Sequence, residues 1–387
     1  MHNRPYLVIA KLISQPTWGG DYIVKLKGWE RRHASSLIGQ SYELFGESKL
    51  ATSITHSDDE RFMCEWGNPD SSDTQDDLFT LSASEQITLK SLIEQDPIAI
   101  LGSKTYEKYG AKMPLLVKLN QARGNSFQLH IKPETKSDRW VAKPETWYYF
   151  ENGLATLGIA PGADVEQYRA VCERIESKLH ELSAKAVAGK IELQDARAQA
   201  QAFVKEQNPW RFVNTVSVKS GDVVDPSAGG IHHSWEEDME NYPLGNRLYE
   251  IQLDAMDPVS TIRSFDQGKI KNDATVRSMN IEDYFEHLDV DPSRNDVQKL
   301  KTHPHNELLV TNTFYTLNRY ELDGSKEMAT NDSFHHVYAQ KGEITITTSG
   351  GSVHIHAGHS AFIPAGAKSY TMKTDGKNAV ALIGSIS

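Results

Sequence analysis

Gln128-Leu-His130 carries two side chains of metal-ligand type with one residue between them. They lie in a run, residues 126–131, whose apolar and polar residues alternate, and in extended backbone successive side chains take opposite faces. Gln128 and His130 therefore point one way, and Phe127, Leu129 and Ile131 the other. Fifteen residues beyond His130, Glu145 heads Glu145-Thr-Trp-Tyr-Tyr-Phe150, a β-prone aromatic run. A hairpin return would bring its carboxylate beside His130. Spacing alone leaves two readings open, because a histidine or glutamine on a strand is more often a solvated or satisfied polar residue than a ligand.

The elements that must position these groups follow from patterning. The segments 6–10, Tyr22-Ile-Val-Lys-Leu26 and Ser41-Tyr-Glu-Leu-Phe45 read as strands, with Trp18-Gly-Gly20 as a turn; residues 56–80, rich in Asp and Ser, read as a surface loop. Residues 84–110 turn helical, and Pro114-Leu-Leu-Val-Lys-Leu119 reads as a buried strand carrying Lys118. Between 163 and 208 the period changes from 2 to 3.6: Val165, Tyr168, Val171, Ile175, Leu179 and Leu182 form the stripe of an amphipathic helix, and a second helix follows over 192–207. After Pro209 strand-like patterning resumes.

An internal repeat separates scaffold from chemistry. Gly221-Asp-Val-Val-Asp-Pro-Ser-Ala-Gly-Gly-Ile-His232 aligns without gaps on Gly358-His-Ser-Ala-Phe-Ile-Pro-Ala-Gly-Ala-Lys-Ser369, which implies one turn, strand and turn used in two related β-barrels. His232 in the first copy is Ser369 in the second, so only the first barrel looks equipped to bind a metal. His233 should face away from His232. His354-Ile-His356, with His359, resembles a ligand cluster, but Val353 and Ile355 claim the inward face and leave both histidines to solvent.

Composition narrows the function classes. With 387 residues, 39% hydrophobic and 24% charged, the chain is globular and long enough for two or three domains. A net charge of −11 disfavours nucleic acid or an anionic membrane as the main partner. Cys64 and Cys172 are its two cysteines and make neither a disulfide scaffold nor a thiolate zinc site. No apolar run reaches membrane-spanning length, and a cytoplasmic location is the expectation. Composition gives no measure of oligomeric state, and a monomer is the working expectation.

Taken in order, Trp18-Gly-Gly20, Pro114 to Leu119, Gln128-Leu-His130, Lys143-Pro-Glu145, the Gly221 to His232 turn and Glu250-Ile-Gln252 leading to Arg263-Ser-Phe-Asp266 resemble the type I mannose-6-phosphate isomerases over nearly the whole chain. The resemblance implies a mostly β fold: two cupin-type β-barrels (jelly rolls) with an inserted small α-helical domain. It divides the chain into a catalytic cupin (1–162 and 209–295), a helical insertion (163–208) and a degenerate C-terminal barrel (296–387) without metal ligands. It also implies one Zn²⁺ per chain held by Gln128, His130, Glu145 and His232. Lys118, Ser126 and Trp18 would contact the substrate, and Lys143, Glu250 and Arg263 would act in catalysis. Three departures stand out. His130-Ile-Lys132 replaces a usual His-Pro-Asp or His-Pro-Asn, Gly39-Gln-Ser-Tyr-Glu43 replaces Gly-Glu-Ser-Trp-Glu, and the gap from Glu250 to Arg263 is about three residues longer than usual.

The residue types suit aldose–ketose isomerisation. Moving a proton between C1 and C2 through an enediol needs a general acid/base, for which Glu250 is the candidate, and a Lewis acid to stabilise the oxygen that gains negative charge. No P-loop or dinucleotide-binding glycine motif is present. The expected reaction interconverts mannose 6-phosphate and fructose 6-phosphate; the alternatives are a metal-dependent isomerase of another phosphosugar and a cupin that binds a sugar phosphate without turning it over.

Overall fold

The computed structural model describes residues 2–14, 19–28, 38–52, 64–67, 74–75, 86–122, 127–234, 238–255, 257–376 and 378–387. It is mostly β, built from two barrels that share a strand. Tyr6–Ser14 pairs through residues 11–14 with Ile38–Leu44 and through residues 6–8 with Ser360–Ile363, so one continuous sheet runs from the N-terminal barrel into the C-terminal one.

In the N-terminal barrel, this sheet continues through Ile38–Leu44, Leu115–Ala122, Asn246–Leu253, Glu145–Tyr149 and Val223–Val224. The facing sheet is ordered Val213–Val218, Gly153–Ile159, Gly230–Ser234, Phe127–His130 and Ile262–Phe265. Alternation does what the sequence suggests on the second sheet. Phe127, Leu129 and Ile131 are at most 3% exposed and join a core with Tyr168, Val171, Ile175, Leu179 and Leu182 of the helix Val165–Val187. Each of those side chains contributes about 1.5–3 kcal/mol on burial. Asp164 caps that helix by accepting from Gln167 N, and Leu193–Gln207 packs beside it before ending at Asn208, in the left-handed region, ahead of Pro209.

The C-terminal barrel pairs Ser360–Ile363, His335–Lys341, Ala379–Ile386, Tyr315–Leu322 and Leu308–Thr311 in one sheet and Ser325–Ala329, Ser369–Lys373, Glu343–Thr348 and Gly351–His356 in the other. The two copies of the internal repeat occupy equivalent places. Each starts at a glycine in the left-handed region (Gly221, φ 91°; Gly358, φ 86°) and crosses from one sheet of its barrel to the other. A Cβ at Gly229, also left-handed, would come within 2.8 Å of Ile131 O, so the turn before His232 needs glycine.

A buried polar network sits where the barrels meet. Lys27 Nζ lies 2.7 Å from Glu43 Oε1 with both side chains fully buried, and Ser360 Oγ donates to Glu43 Oε2 at 2.9 Å. Ser41 Oγ donates to Oε1 at 2.6 Å. Beside it, Tyr249 OH and His336 Nδ1 are 3.0 Å apart.

Three expectations are corrected. Tyr22–Leu26 is a short helix, not a strand: Tyr22 N is taken by the Gln121 side chain, Lys25 pairs with Asp21 one turn back, and docking of Ile23 and Val24 in the core overrides their β preference. Within the segment expected to be loop, Cys64–Gly67 pairs in parallel with residues 10–13 and Thr74–Gln75 pairs with it; the rest of that segment lies outside the described residues. Glu145 reaches His130 across the barrel interior, because its strand belongs to the facing sheet and is not a hairpin partner.

Candidate metal centre

Register aligns the polar side chains of the second sheet in a row on its inner face. His232 lies directly opposite Gln128, and Gln128 opposite Arg263 on its other side. His130 is two residues from Gln128 on the same face, and the rings of His130 and His232 are 4.6 Å apart. From the facing sheet, Glu145 places Oε2 3.3 Å from His130 Nε2 and Oε1 3.0 Å from His232 Nε2. The three ligand-type atoms lie within 4.8 Å of one another, and the side chains are 0–1% exposed. His233 turns away, as expected, and stacks on Phe127.

The hydrogen bonds of this cluster fix where its protons sit. His130 Nδ1 is 2.6 Å from Ser260 O and His232 Nδ1 is 3.1 Å from Gly230 O; a carbonyl only accepts, so both Nδ1 atoms carry the proton. Burial, then Lys143 and His232, push the His130 pKa down to about 3, so its ring is neutral and Nε2 bears a bare lone pair. With its Nδ1 held by Gly230 O, His232 likewise turns Nε2 toward Glu145, and that atom is buried without a hydrogen-bond partner. Burial opposes ionisation of Glu145, but Lys143, with Nζ at 3.1 Å, outweighs it and holds the carboxyl well below its usual value. Two imidazole Nε2 atoms and a carboxylate thus converge on one buried point, a donor set that a cation would satisfy. Two imidazoles and a carboxylate, with a neutral amide beside them, suit a divalent ion of borderline softness.

Above the cluster the first sheet supplies a second polar group. Tyr42, Lys118, Glu250 and Trp147 lie in one cross-strand row, with Gln40 and Asn120 in the next. Lys118 Nζ is 2.9 Å from Glu250 Oε1; Asn120 Nδ2 donates to Glu250 Oε2 at 2.7 Å, and Gln40 Nε2 donates to Asn120 Oδ1 at 2.9 Å. Burial raises the Glu250 pKa; Lys118 opposes this and Glu145 adds to it. Beneath the cluster, Trp147, Tyr149, Ala155, Leu157 and Leu248 form an apolar plug.

Of the residues expected from sequence, His130, Glu145 and His232 converge. Gln128 and Arg263 share their inner face, Lys143 contacts Glu145, and Lys118 contacts Glu250. Trp18 and Ser126 lie outside the described residues. Asn120, Gln40 and Gln252 were missed. Gln252 lies opposite Glu145, with a buried Oε1 that has no hydrogen-bond partner. Continuing the Lys118 strand two residues further would have placed Asn120 on the same face; nothing in the sequence marks the other two.

The fold and site define a two-barrel cupin with a buried cluster of two histidines and one carboxylate in its N-terminal barrel. The sequence profile described as mannose-6-phosphate isomerase, cupin domain, matches residues 306–383. Among solved structures, one assigned as a mannosephosphate isomerase from Archaeoglobus fulgidus aligns over 99% of this chain and 98% of its own, with TM-score 0.65 and 17% identity. The mannose 6-phosphate isomerase of Bacillus subtilis aligns over 98% and 99%, with TM-score 0.58 and 14% identity. That of Salmonella typhimurium, bound to fructose 6-phosphate and zinc, aligns over 98% and 99%, with TM-score 0.60 and 12% identity. No curated protein sequence matches the chain. The chain shares the two-barrel fold of these solved mannose-6-phosphate isomerases over nearly its whole length, and residues 306–383, in its C-terminal barrel, match the cupin-domain profile.

Proposed function

We propose that this protein is a zinc-dependent isomerase that interconverts mannose 6-phosphate and fructose 6-phosphate through an enediol. The observation that carries the reading is the buried convergence of His130, Glu145 and His232 with their lone pairs turned on one point. In this reading these three and Gln128 hold one Zn²⁺ per chain, in a catalytic cupin formed by 1–162 and 209–295 around the helical insertion 163–208. The ion, when bound, supplies a Lewis acid for the substrate oxygen on which charge develops.

Glu250 takes the proton from one carbon and returns it to the other. A buried carboxyl with a raised pKa suits both halves of that transfer, and Lys118 and Asn120 fix its two oxygens so that it meets the substrate in one orientation. Lys143 and Arg263 supply positive charge beside the enediolate, and Lys118, Ser126 and Trp18 contact the sugar phosphate. The apolar plug under His232 keeps water from the far end of the pocket.

The test is a coupled assay of mannose 6-phosphate conversion on metal-stripped protein: no turnover until Zn²⁺ is restored supports the reading, and full turnover without metal refutes it. One observation favours a second reading, an isomerase of a different phosphosugar. Gln40 and Tyr42, where the chain departs from the family pattern, sit beside the Lys118–Glu250 pair, Gln40 donating to Asn120 and the Tyr42 ring lying 6.0 Å from Lys118 Nζ, whereas Lys132 is drawn off to Asp289 at 2.6 Å. A panel of hexose and pentose phosphates separates the two.

A further inference from the structure

The four-stranded sheet of the C-terminal barrel carries another group of ligand-type side chains, on its outer surface. Glu343 and His356 are direct partners on the adjacent strands Glu343–Thr348 and Gly351–His356, and His354 is two residues away on the same face. The other face of these strands is anchored by Ile344, Ile346, Val353 and Ile355, each at most 5% exposed, so a packed core fixes the spacing of the three outer residues. His356 Nδ1 lies 2.8 Å from Glu343 Oε1, and His354 Nε2 lies 3.4 Å from Oε2. The two rings are nearly perpendicular, with centroids 4.8 Å apart. Thr345, opposite His354, sets its hydroxyl 3.0 Å from Nδ1 and so orients the ring with Nε2 toward the carboxylate. One donor atom from each residue falls within 4.8 Å of the other two.

We propose that Glu343, His354 and His356 form a second, exposed binding site for a borderline divalent ion of the Zn²⁺, Ni²⁺ or Cu²⁺ class. Two imidazole nitrogens and a carboxylate are the donor set such ions take, and a hydrogen-bonded partner behind a ligating ring is their usual support. With neutral imidazoles the three ligands carry one negative charge. A divalent ion there keeps a net positive charge and solvent-facing coordination positions, so it exchanges readily and is open to a further ligand.

The test uses the full-length, untagged protein equilibrated with Zn²⁺, with bound metal counted by elemental mass spectrometry and a parallel Cu²⁺ titration followed by electron paramagnetic resonance. Wild type is expected to hold one exchangeable equivalent more than the His354→Ala/His356→Ala variant, and to show two-nitrogen coupling for that copper. Glu343→Gln should weaken this equivalent at least tenfold, and none of these changes should alter sugar-phosphate turnover. Equal metal content in wild type and the double-histidine variant overturns the proposal. Because the readout is a difference between wild type and surface variants, it stands whether or not the interior cluster holds an ion.

Discussion

Asn120 offers the sharpest handle on Glu250, the proposed proton-transfer group. Glu250 is about 5% exposed, and its two oxygens are engaged by Lys118 Nζ at 2.9 Å and Asn120 Nδ2 at 2.7 Å; Gln40 holds the Asn120 amide in the orientation that donates. Asn120→Ala removes a hydrogen bond to a charged group, worth about 1.5–3 kcal/mol. Such a bond is roughly twice as strong to the ionised as to the neutral form, so the differential is about 1 kcal/mol, or close to one pKa unit. Losing a donor to the ionised form disfavours it, so the already raised Glu250 pKa should rise further, and the acid limb of kcat/KM against pH should move up by about one unit. Asn120→Asp is nearly isosteric and sets a second carboxylate against the first; two such groups do not both ionise readily, so its shift should be larger in the same direction. The assay is the pH dependence of kcat/KM for mannose 6-phosphate in wild type and both variants. A uniform loss of rate with the acid limb unmoved would falsify the assignment of Glu250 as the titrating base.

Two further predictions concern stability. Burial lowers the pKa of His335 to about 4 and of His336 to about 3. The unfolded chain protonates these groups near 6.5, so between that value and about 4 it binds more protons than the fold does. The contribution of the neutral rings is therefore complete above about pH 6.5 and is lost as pH falls, by roughly 2 kcal/mol per histidine at pH 5. Urea midpoints should drop between pH 7 and pH 5 in wild type and drop less in His335→Leu; equal drops would remove the cause named here. Lys27→Met leaves Glu43 buried without its cation and should cost about 3–5 kcal/mol of unfolding free energy. A change under 1 kcal/mol in the same urea series would mean that the pair contributes little at the junction of the barrels.

Local pattern made much of this legible. Alternation around Gln128 and His130 put the ligand types on the barrel side and Phe127, Leu129 and Ile131 on the helix side, because a period of two survives whatever the strand pairs with. The stripe from Tyr168 to Leu182 marked the helical face for the same reason at a period of 3.6. The repeat showed that His232 has no counterpart in the second barrel. Long-range register stayed hidden: that Gln40 meets Asn120 and Asn120 meets Glu250 depends on strands 80 and 130 residues apart. Neutral amides carry no signal of their own. Glu343 was invisible for a similar reason, since only the pairing of its strand with Gly351–His356 brings it to the two histidines. Tyr22–Leu26 shows the reverse failure, a β-prone sequence made helical by the surface on which it docks.

The most direct measurement is an anomalous difference map at the zinc edge from crystals grown with Zn²⁺. The account predicts a peak inside the N-terminal barrel about 2.0–2.2 Å from His130 Nε2, His232 Nε2 and an oxygen of Glu145. Zinc-saturated crystals with density only at the outer Glu343, His354 and His356 group, or with none, would contradict it.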